Sequence, residues 1–91
     1  MDFEYDPQKS ESNKIKHGID FEAAQAIWKD PNAFDVPSDY YGEDRFLAIG
    51  EINGTLWTAI VTMRDEIVRI ISVRRSRDNE RQAYDYGRRT R

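Results

Sequence analysis

The sequence predicts an α+β domain: a small antiparallel β-sheet packed by helices. Three observations carry the prediction. Residues 45–74 contain three stretches rich in β-branched, aliphatic and aromatic residues, RFLAIGEI, TLWTAIVTM and EIVRIISVR. Asn53-Gly54 between the first two is the strongest short hairpin signal, and Arg64-Asp65 marks a second tight turn. Segments with helix caps and stops lie before and after this block, so helices and sheet are segregated along the chain.

Taken in order, residues 2–5 place Phe3 and Tyr5 on one side, as a short edge strand would. Asp6-Pro7 opens a helix, with Asp6 as N-cap and Pro7 at the first helical position. That helix is very polar, with Ile15 its only aliphatic residue, and Gly18 is its stop. Lys14, Lys16 and His17 fall in its last turn, where positive charge complements the helix dipole. Asp20 caps a second helix, whose Phe21, Ala24, Ile27 and Trp28 share a face, and Ile19 and Ala24 bracket the cap as a staple. Asp30-Pro31 ends it. Residues 32–36 form a short strand and residues 37–44, PSDYYGED, a polar turn segment. A last helix starts near Ser76 as N-cap and runs to about Tyr86 before Gly87, leaving residues 88–91 as a loose basic tail. The order is β-α-α-β-β-β-β-α.

Two-residue turns set the expected faces of the sheet. Phe46, Ala48, Ile52, Trp57, Ala59, Val61, Val68 and Ile70 share the core face, under the Trp28 helix. Leu47, Ile49, Glu51, Leu56, Thr58, Ile60, Arg69 and Ile71 share the other. That second face is too apolar to be wholly solvated, so the C-terminal helix or a partner covers part of it.

Ninety-one residues make a single domain, residues 1–91, with one modest core. No apolar run approaches the roughly 20 residues of a membrane span. The acidic N-terminus lacks an apolar signal region, so the expected compartment is cytoplasmic, with no membrane partner. The absence of cysteine excludes disulfides and thiolate metal sites, and one histidine makes a conventional zinc site hard to assemble. No cofactor is expected. Charge is segregated. Residues 1–63 carry 5 Lys+Arg against 12 Asp+Glu, a net of −7, and residues 64–91 carry 9 Arg against 5 Asp+Glu, a net of +4. A total of −3 argues against broad non-specific nucleic-acid binding, while the polarity leaves room for a focused anion site near the C-terminus.

The stretch EIVRIISVRRSRDNER, residues 66–81, concentrates that charge in Arg69, Arg74, Arg75, Arg77 and Arg81 around one strand end. Arginine is a planar, permanently charged fork that grips phosphates or carboxylates.

Several pieces read together resemble one family. YDPQKSESNKIKHGIDFEAA is similar to an N-terminal signature of an aromatic-Asp pair, Asn-x-x-Lys-His-Gly and Phe-x-x-Ala. EDRFLAIGEINGTLWTAIV is similar to a central Glu-x-Arg…Gly hairpin, and RIISVRRSRDNERQAY to a third signature, Arg-Ile-Ile-Ser-Ala-Arg followed by Glu-Arg and Tyr. These are the marks of the BrnT family of type II toxins, and the resemblance runs from about Tyr5 to Tyr84. Tyr5 stands where that family usually has Trp, and Val73 and Ser76 where it usually has Ala. The resemblance implies a fold like that of the RelE toxins and a ribonuclease activity that halts translation. It also implies a BrnA-like antitoxin with a ribbon-helix-helix DNA-binding part, a 2:2 complex and repression of the shared operon, so that DNA is met only through the antitoxin. By matched position the marked residues are Lys16, His17, Arg45, Arg69, Ser72, Arg74, Glu80, Arg81 and Tyr84.

RNA cleavage without metal needs a base for the 2′-OH, an acid for the leaving 5′-oxygen and cations on the phosphate between them. The catalytic candidates are His17, Arg69, Arg74, Glu80 and Arg81, with Lys16, Arg45 and Tyr84 as substrate-binding candidates. Each has a plainer reading. His17 is the one side chain with an unperturbed pKa near neutrality, or it is a helix C-terminal residue facing the last carbonyls. Arg69 marks a cleft or pairs with a carboxylate across the sheet. Arg74 is expected on the core face near its end, emerging into a cleft, and Arg75 in solvent or against the antitoxin. Glu80 is a base, or it orients Arg81 or Arg74 through an ion pair. Tyr84 stacks on a base or is core. Lys16 and Arg45 add charge to the cleft or decorate the surface. Tyr40-Tyr41 is a further, weaker candidate for contact with bases or a partner. The first functional reading is an endoribonuclease toxin. The alternatives are a binding module that breaks no bond and a degenerate toxin that survives only as its antitoxin's co-repressor partner.

Overall fold

The computed structural model describes residues 1–90; Arg91, the last residue of the expected tail, lies outside them. The elements are β1 (Asp2–Glu4), α1 (Pro7–His17), α2 (Phe21–Ala24), a 3₁₀ turn (Gln25–Lys29), β2 (Phe34–Ser38), β3 (Arg45–Ile52), β4 (Thr55–Arg64), β5 (Ile67–Arg75) and α3 (Asp78–Arg89). The five strands form one sheet in the order β1-β5-β4-β3-β2, with β1 parallel to β5 and every other pair antiparallel. This is the α+β architecture and element order that the sequence predicts.

Local chemistry explains the boundaries. Asp6 accepts the Gln8 N–H at 2.9 Å and caps α1, and Gly18 ends it at φ 83°, a left-handed conformation that costs glycine little. Asp20 caps α2 by accepting the Ala23 N–H at 2.8 Å. The second helix is α for only one turn and tightens to 3₁₀ from Gln25 on. Asn53 and Gly54, at φ 50° and 85°, make the two-residue hairpin turn. The second hairpin turns one residue later than expected, at Asp65-Glu66 with φ 51° and 70°, so Arg64 pairs with Ile67. Pro37 sits in β2 rather than after it, a position an edge strand tolerates because only one of its sides carries a ladder.

α1, α2 and the 3₁₀ turn lie on one face of the sheet. The core they close contains Ile19, Phe21, Ala24 and Ile27 from the helical side, and Ala48, Trp57, Ala59, Val61, Val68, Ile70 and Val73 from the sheet. Phe3 meets Trp28 edge-on at 5.0 Å and Tyr5 meets Phe21 edge-on at 5.6 Å, tying the N-terminal strand to this layer. Gly50 faces the 3₁₀ turn so closely that a Cβ there would stand 2.9 Å from Ile27 Cγ2 and 3.1 Å from Ile27 O. Ile15, in contrast, is 87% exposed, so α1 attaches by polar groups and not by an apolar stripe.

A β-bulge decides the placement of the arginines. Val61 pairs with Ile70 but Ile60 pairs with Ser72, so β5 carries one extra residue, Ile71, at this point. The alternation slips by one. Val73 therefore joins the core and Arg74 turns to the opposite face, across from Thr58. This corrects the expectation that Arg74 shares the core face. α3 runs over the opposite face, the coverage the apolar residues there call for, and it buries Glu80 and Tyr84 as a narrow polar stripe.

Candidate functional site at the end of strand β5

The helix after β5 is not capped by Ser76, as the sequence suggests, but begins after Arg77. Ser76 is buried and its hydroxyl lies 2.8 Å from Thr58 Oγ1. Thr58 in turn donates to Glu80 Oε1 at 2.9 Å. A threonine hydroxyl has one proton, so Ser76 must be the donor to Thr58, and the three form a directed chain ending on the carboxylate.

Glu80 is the hub. It accepts Arg74 Nη1 at 2.8 Å and Nη2 at 2.9 Å as a fork, and the Arg77 N–H at 2.8 Å as the reach-back bond at the start of α3. With Thr58 that makes four donors on one carboxylate whose side chain is 7% exposed. Burial alone raises its pKa, but the bonds from Arg74, the Arg77 backbone and Thr58 outweigh burial and lower it to about 2. Glu80 is ionised and fully engaged near neutral pH, the pattern of a residue that holds others in place.

Arg74 has little more to spare. Beyond its two bonds to Glu80, Nη1 reaches the Arg75 carbonyl at 3.2 Å and Nε reaches the Tyr41 hydroxyl at 3.3 Å. Four of its five N–H groups are thus taken among the described residues, leaving one on Nη2. Its side chain is 13% exposed, and the bond to Glu80 raises its pKa further despite burial, so it never loses its charge. The pair is electrically neutral as a unit. Any net positive field at this sheet end must come from neighbours, of which Arg75 and Arg77 are exposed. Arg75 lies over the Trp57 ring at 5.7 Å, an arrangement that steadies a charged group in water.

Asn13, which sequence reasoning does not single out, joins α1 to this end of the sheet. Its side chain accepts the Val73 N–H at 3.1 Å and donates to the Val73 carbonyl at 2.9 Å and the Ile19 carbonyl at 2.8 Å. β1 pairs only with residues 67–69 of β5, so Asn13 serves the strand edge that β1 leaves free. His17 follows Asn13 by one helical turn, about 6 Å of rise. Arg74 and Arg75 follow Val73 directly. Half-buried His17 and exposed Lys16 close α1 on the helical side of the sheet, one turn beyond the residue that grips Val73, whereas Arg74 and Glu80 lie on the α3 face.

The remaining candidates lie elsewhere. Arg69 is opposite Glu4 of β1 and pairs with it at 3.7 Å, as Arg64 does at 3.6 Å. It stands five residues before Arg74, roughly 15 Å along the strand. Arg45 precedes Phe46, the partner of Val61, so it shares the Arg69 end of the sheet, and its guanidinium bonds the Glu43 carbonyl at 3.2 Å. Arg81 is exposed and pairs with Asp78 at 3.0 Å on the outer side of α3. Tyr84 is 3% exposed and donates to Asp30 at 2.7 Å, with its pKa pushed up to about 12 by burial and by that carboxylate. It anchors α3 and presents no ring face to a base. α3 itself continues through Gly87 to Arg89, so Arg88 and Arg89 are helical and not a loose tail.

A cavity of about 370 Å³ opens on the other side of the sheet, lined by Trp28, Phe46 and Met63 among others. Its walls are mostly apolar, its charged side chains are the carboxylates Asp30 and Asp35, and no arginine or lysine among the described residues lines it. The arginine site is therefore a surface at the sheet end and not that cavity.

Fold and site define a small α+β protein with a rigid Arg–Glu centre at one end of its sheet and exposed arginines around it. Residues 5–80 match the family described as the ribonuclease toxin BrnT of type II toxin–antitoxin systems, and the chain belongs to that family. It is therefore a ribonuclease toxin of the type II class, with RNA as substrate and an antitoxin as partner. No curated protein matches the chain. No helix among the described residues is long and apolar enough to cross a membrane.

Proposed function

We propose that the chain is a metal-independent endoribonuclease that cleaves at the C-terminal end of β5, by attack of the RNA 2′-OH on the adjacent phosphate. The observation that supports this reading is the junction at Asn13 and Val73, which ties the helix ending in the one histidine to the strand ending in Arg74 and Arg75. His17 exchanges the proton of the 2′-OH or of the leaving 5′-oxygen. Arg75, Arg77 and the remaining Nη2–H of Arg74 hold the phosphate, with Lys16 and Arg81 adding charge at the margin. Glu80, Thr58 and Ser76 fix Arg74. Because RNA supplies its own nucleophile, no metal-activated water is required, and DNA is refused for want of the 2′-OH.

Arg45 and Arg69 lie too far along the sheet to share one phosphate with Arg74. They fit contacts to neighbouring phosphates or to the antitoxin. The antitoxin proposed is BrnA-like, with a ribbon-helix-helix part, forming a 2:2 complex that represses its own operon and reaches the active site by charge complementarity. One observation favours the rival reading of a binding module: the central carboxylate is too engaged to act as a base. The ribonuclease family and the separate position of His17 favour the enzyme.

The test is incubation of the purified protein with RNA in EDTA. Strand scission leaving 2′,3′-cyclic phosphate ends, abolished by a 2′-deoxy substitution at the cut site, is expected. RNA that stays intact while bound would support the module instead, and scission only after a divalent metal is added would overturn the metal-free mechanism.

A further inference from the structure

We infer that Tyr41 is a further substrate-contacting residue, donating its hydroxyl proton as a hydrogen bond to a non-bridging oxygen of the scissile phosphate. The inference deepens the proposed ribonuclease reading and rests on it. Three observations converge. The loop between β2 and β3 brings Tyr41 across 33 positions in sequence to Arg74, where its oxygen accepts Nε–H at 3.3 Å. That bond occupies a lone pair of the phenol and leaves its own O–H unused, because no acceptor takes it among the described residues. The ring is braced edge-on against Tyr40, with centroids 4.9 Å apart, so the hydroxyl is held by a neighbour as well as by Arg74.

The inventory of donors at the site gives this proton its weight. Arg74 has spent four of its five N–H groups on the protein, and Glu80 accepts only. What the centre can still offer a phosphate is one Nη2–H of Arg74 and the O–H of Tyr41, both belonging to groups fixed before substrate arrives. Donors held in place in advance are the ones that stabilise developing charge without reorganisation. Tyr40, 82% exposed, presents its ring beside this point and provides a face for the neighbouring base.

The experiment is single-turnover cleavage of RNA by wild type, Tyr41→Phe and Tyr86→Phe, with binding of a 2′-O-methyl RNA that cannot be cut measured in parallel. Tyr41→Phe is expected to lower the cleavage rate about a hundredfold, with affinity for the uncut analogue and the unfolding temperature nearly unchanged. Tyr86→Phe, which loses only a solvent-facing hydroxyl on α3, is expected to keep the full rate. A Tyr41→Phe rate within about threefold of wild type would overturn the inference, as would a lower rate that follows lost binding alone. A wild type that does not cleave would instead overturn the ribonuclease reading beneath it.

Discussion

Replacing Glu80 with leucine tests the centre of the site most severely. The substitution removes the acceptor of four hydrogen bonds and leaves the Arg74 guanidinium, 13% exposed, without its counter-charge. Breaking one side of such a pair costs about 3–5 kcal/mol, far above the 0–1 kcal/mol of an exposed pair. For a chain of this size each kcal/mol is worth about 4–8 °C, so the unfolding temperature falls by roughly 12–40 °C. Some of the loss belongs to the helix cap at Arg77, and a cycle with Arg74→Met separates the two. The double variant Arg74→Met/Glu80→Leu removes both charges and recovers most of the pair's share, leaving about 1 kcal/mol for the cap. Urea denaturation at pH 7 is the assay. A Glu80→Leu cost below about 1 kcal/mol, with no coupling to Arg74, would refute the reasoning. The same pair predicts an acid limb. The folded pKa of Glu80 is depressed from 4.5 to about 2, so its contribution is complete above pH 4.5 and is lost as pH falls through 2. The shift corresponds to about 3 kcal/mol, and Glu80→Gln flattens that limb.

Asn13→Ala leaves the buried N–H and carbonyl of Val73 and the Ile19 carbonyl without their side-chain partner and is expected to cost roughly 2–4 kcal/mol in denaturant unfolding, detaching α1 first. Hydrogen exchange at Val73 reads that detachment directly. Gly50→Ala pushes a methyl against Ile27 and is expected to cost about 1–3 kcal/mol, measured as a lower denaturation midpoint. Tyr84 sets an alkaline limb of opposite sense: its folded pKa is raised from 10 to about 12, so its contribution is complete below pH 10 and lost as pH rises through 12. Tyr84→Phe removes that limb and loosens α3 at Asp30.

Element types and order are legible in the sequence because caps, turn residues and apolar alternation are local signals. Asp6, Asp20, Gly18 and Asn53-Gly54 act where their chemistry says they should. The bulge at Ile71 is not legible, because an extra residue in a continuous apolar strand leaves no break in IVRIISVR. Without the bulge, simple alternation puts Arg74 on the wrong face. Ser76 reads as an N-cap by residue type alone, yet tertiary contact with Thr58 claims its hydroxyl and the cap moves on one residue. Glu80 as a holder of Arg74 is among the readings the sequence leaves open, since an acid amid so many arginines is bound to pair. Asn13 and Tyr41 are harder. Their partners lie 60 and 33 positions away, and nothing near them in the chain announces a strand edge to be capped or a guanidinium to be met. Asn13 has one available signal: it opens the Asn-x-x-Lys-His-Gly pattern, in which Lys16 and His17 draw the chemical reading.

Which end of the sheet handles RNA is the central claim. The most direct measurement compares cleavage by two double variants, Arg75→Ala/Arg77→Ala at the β5 terminus and Arg45→Ala/Arg64→Ala at the far end. Both pairs are exposed or half-exposed, so both variants are expected to fold. Single-turnover cleavage at saturating RNA should be lost in the first and largely kept in the second. Full activity in the first with loss in the second would place the chemistry beside Arg69 and Glu4, and would contradict the site described at Arg74, Glu80 and His17.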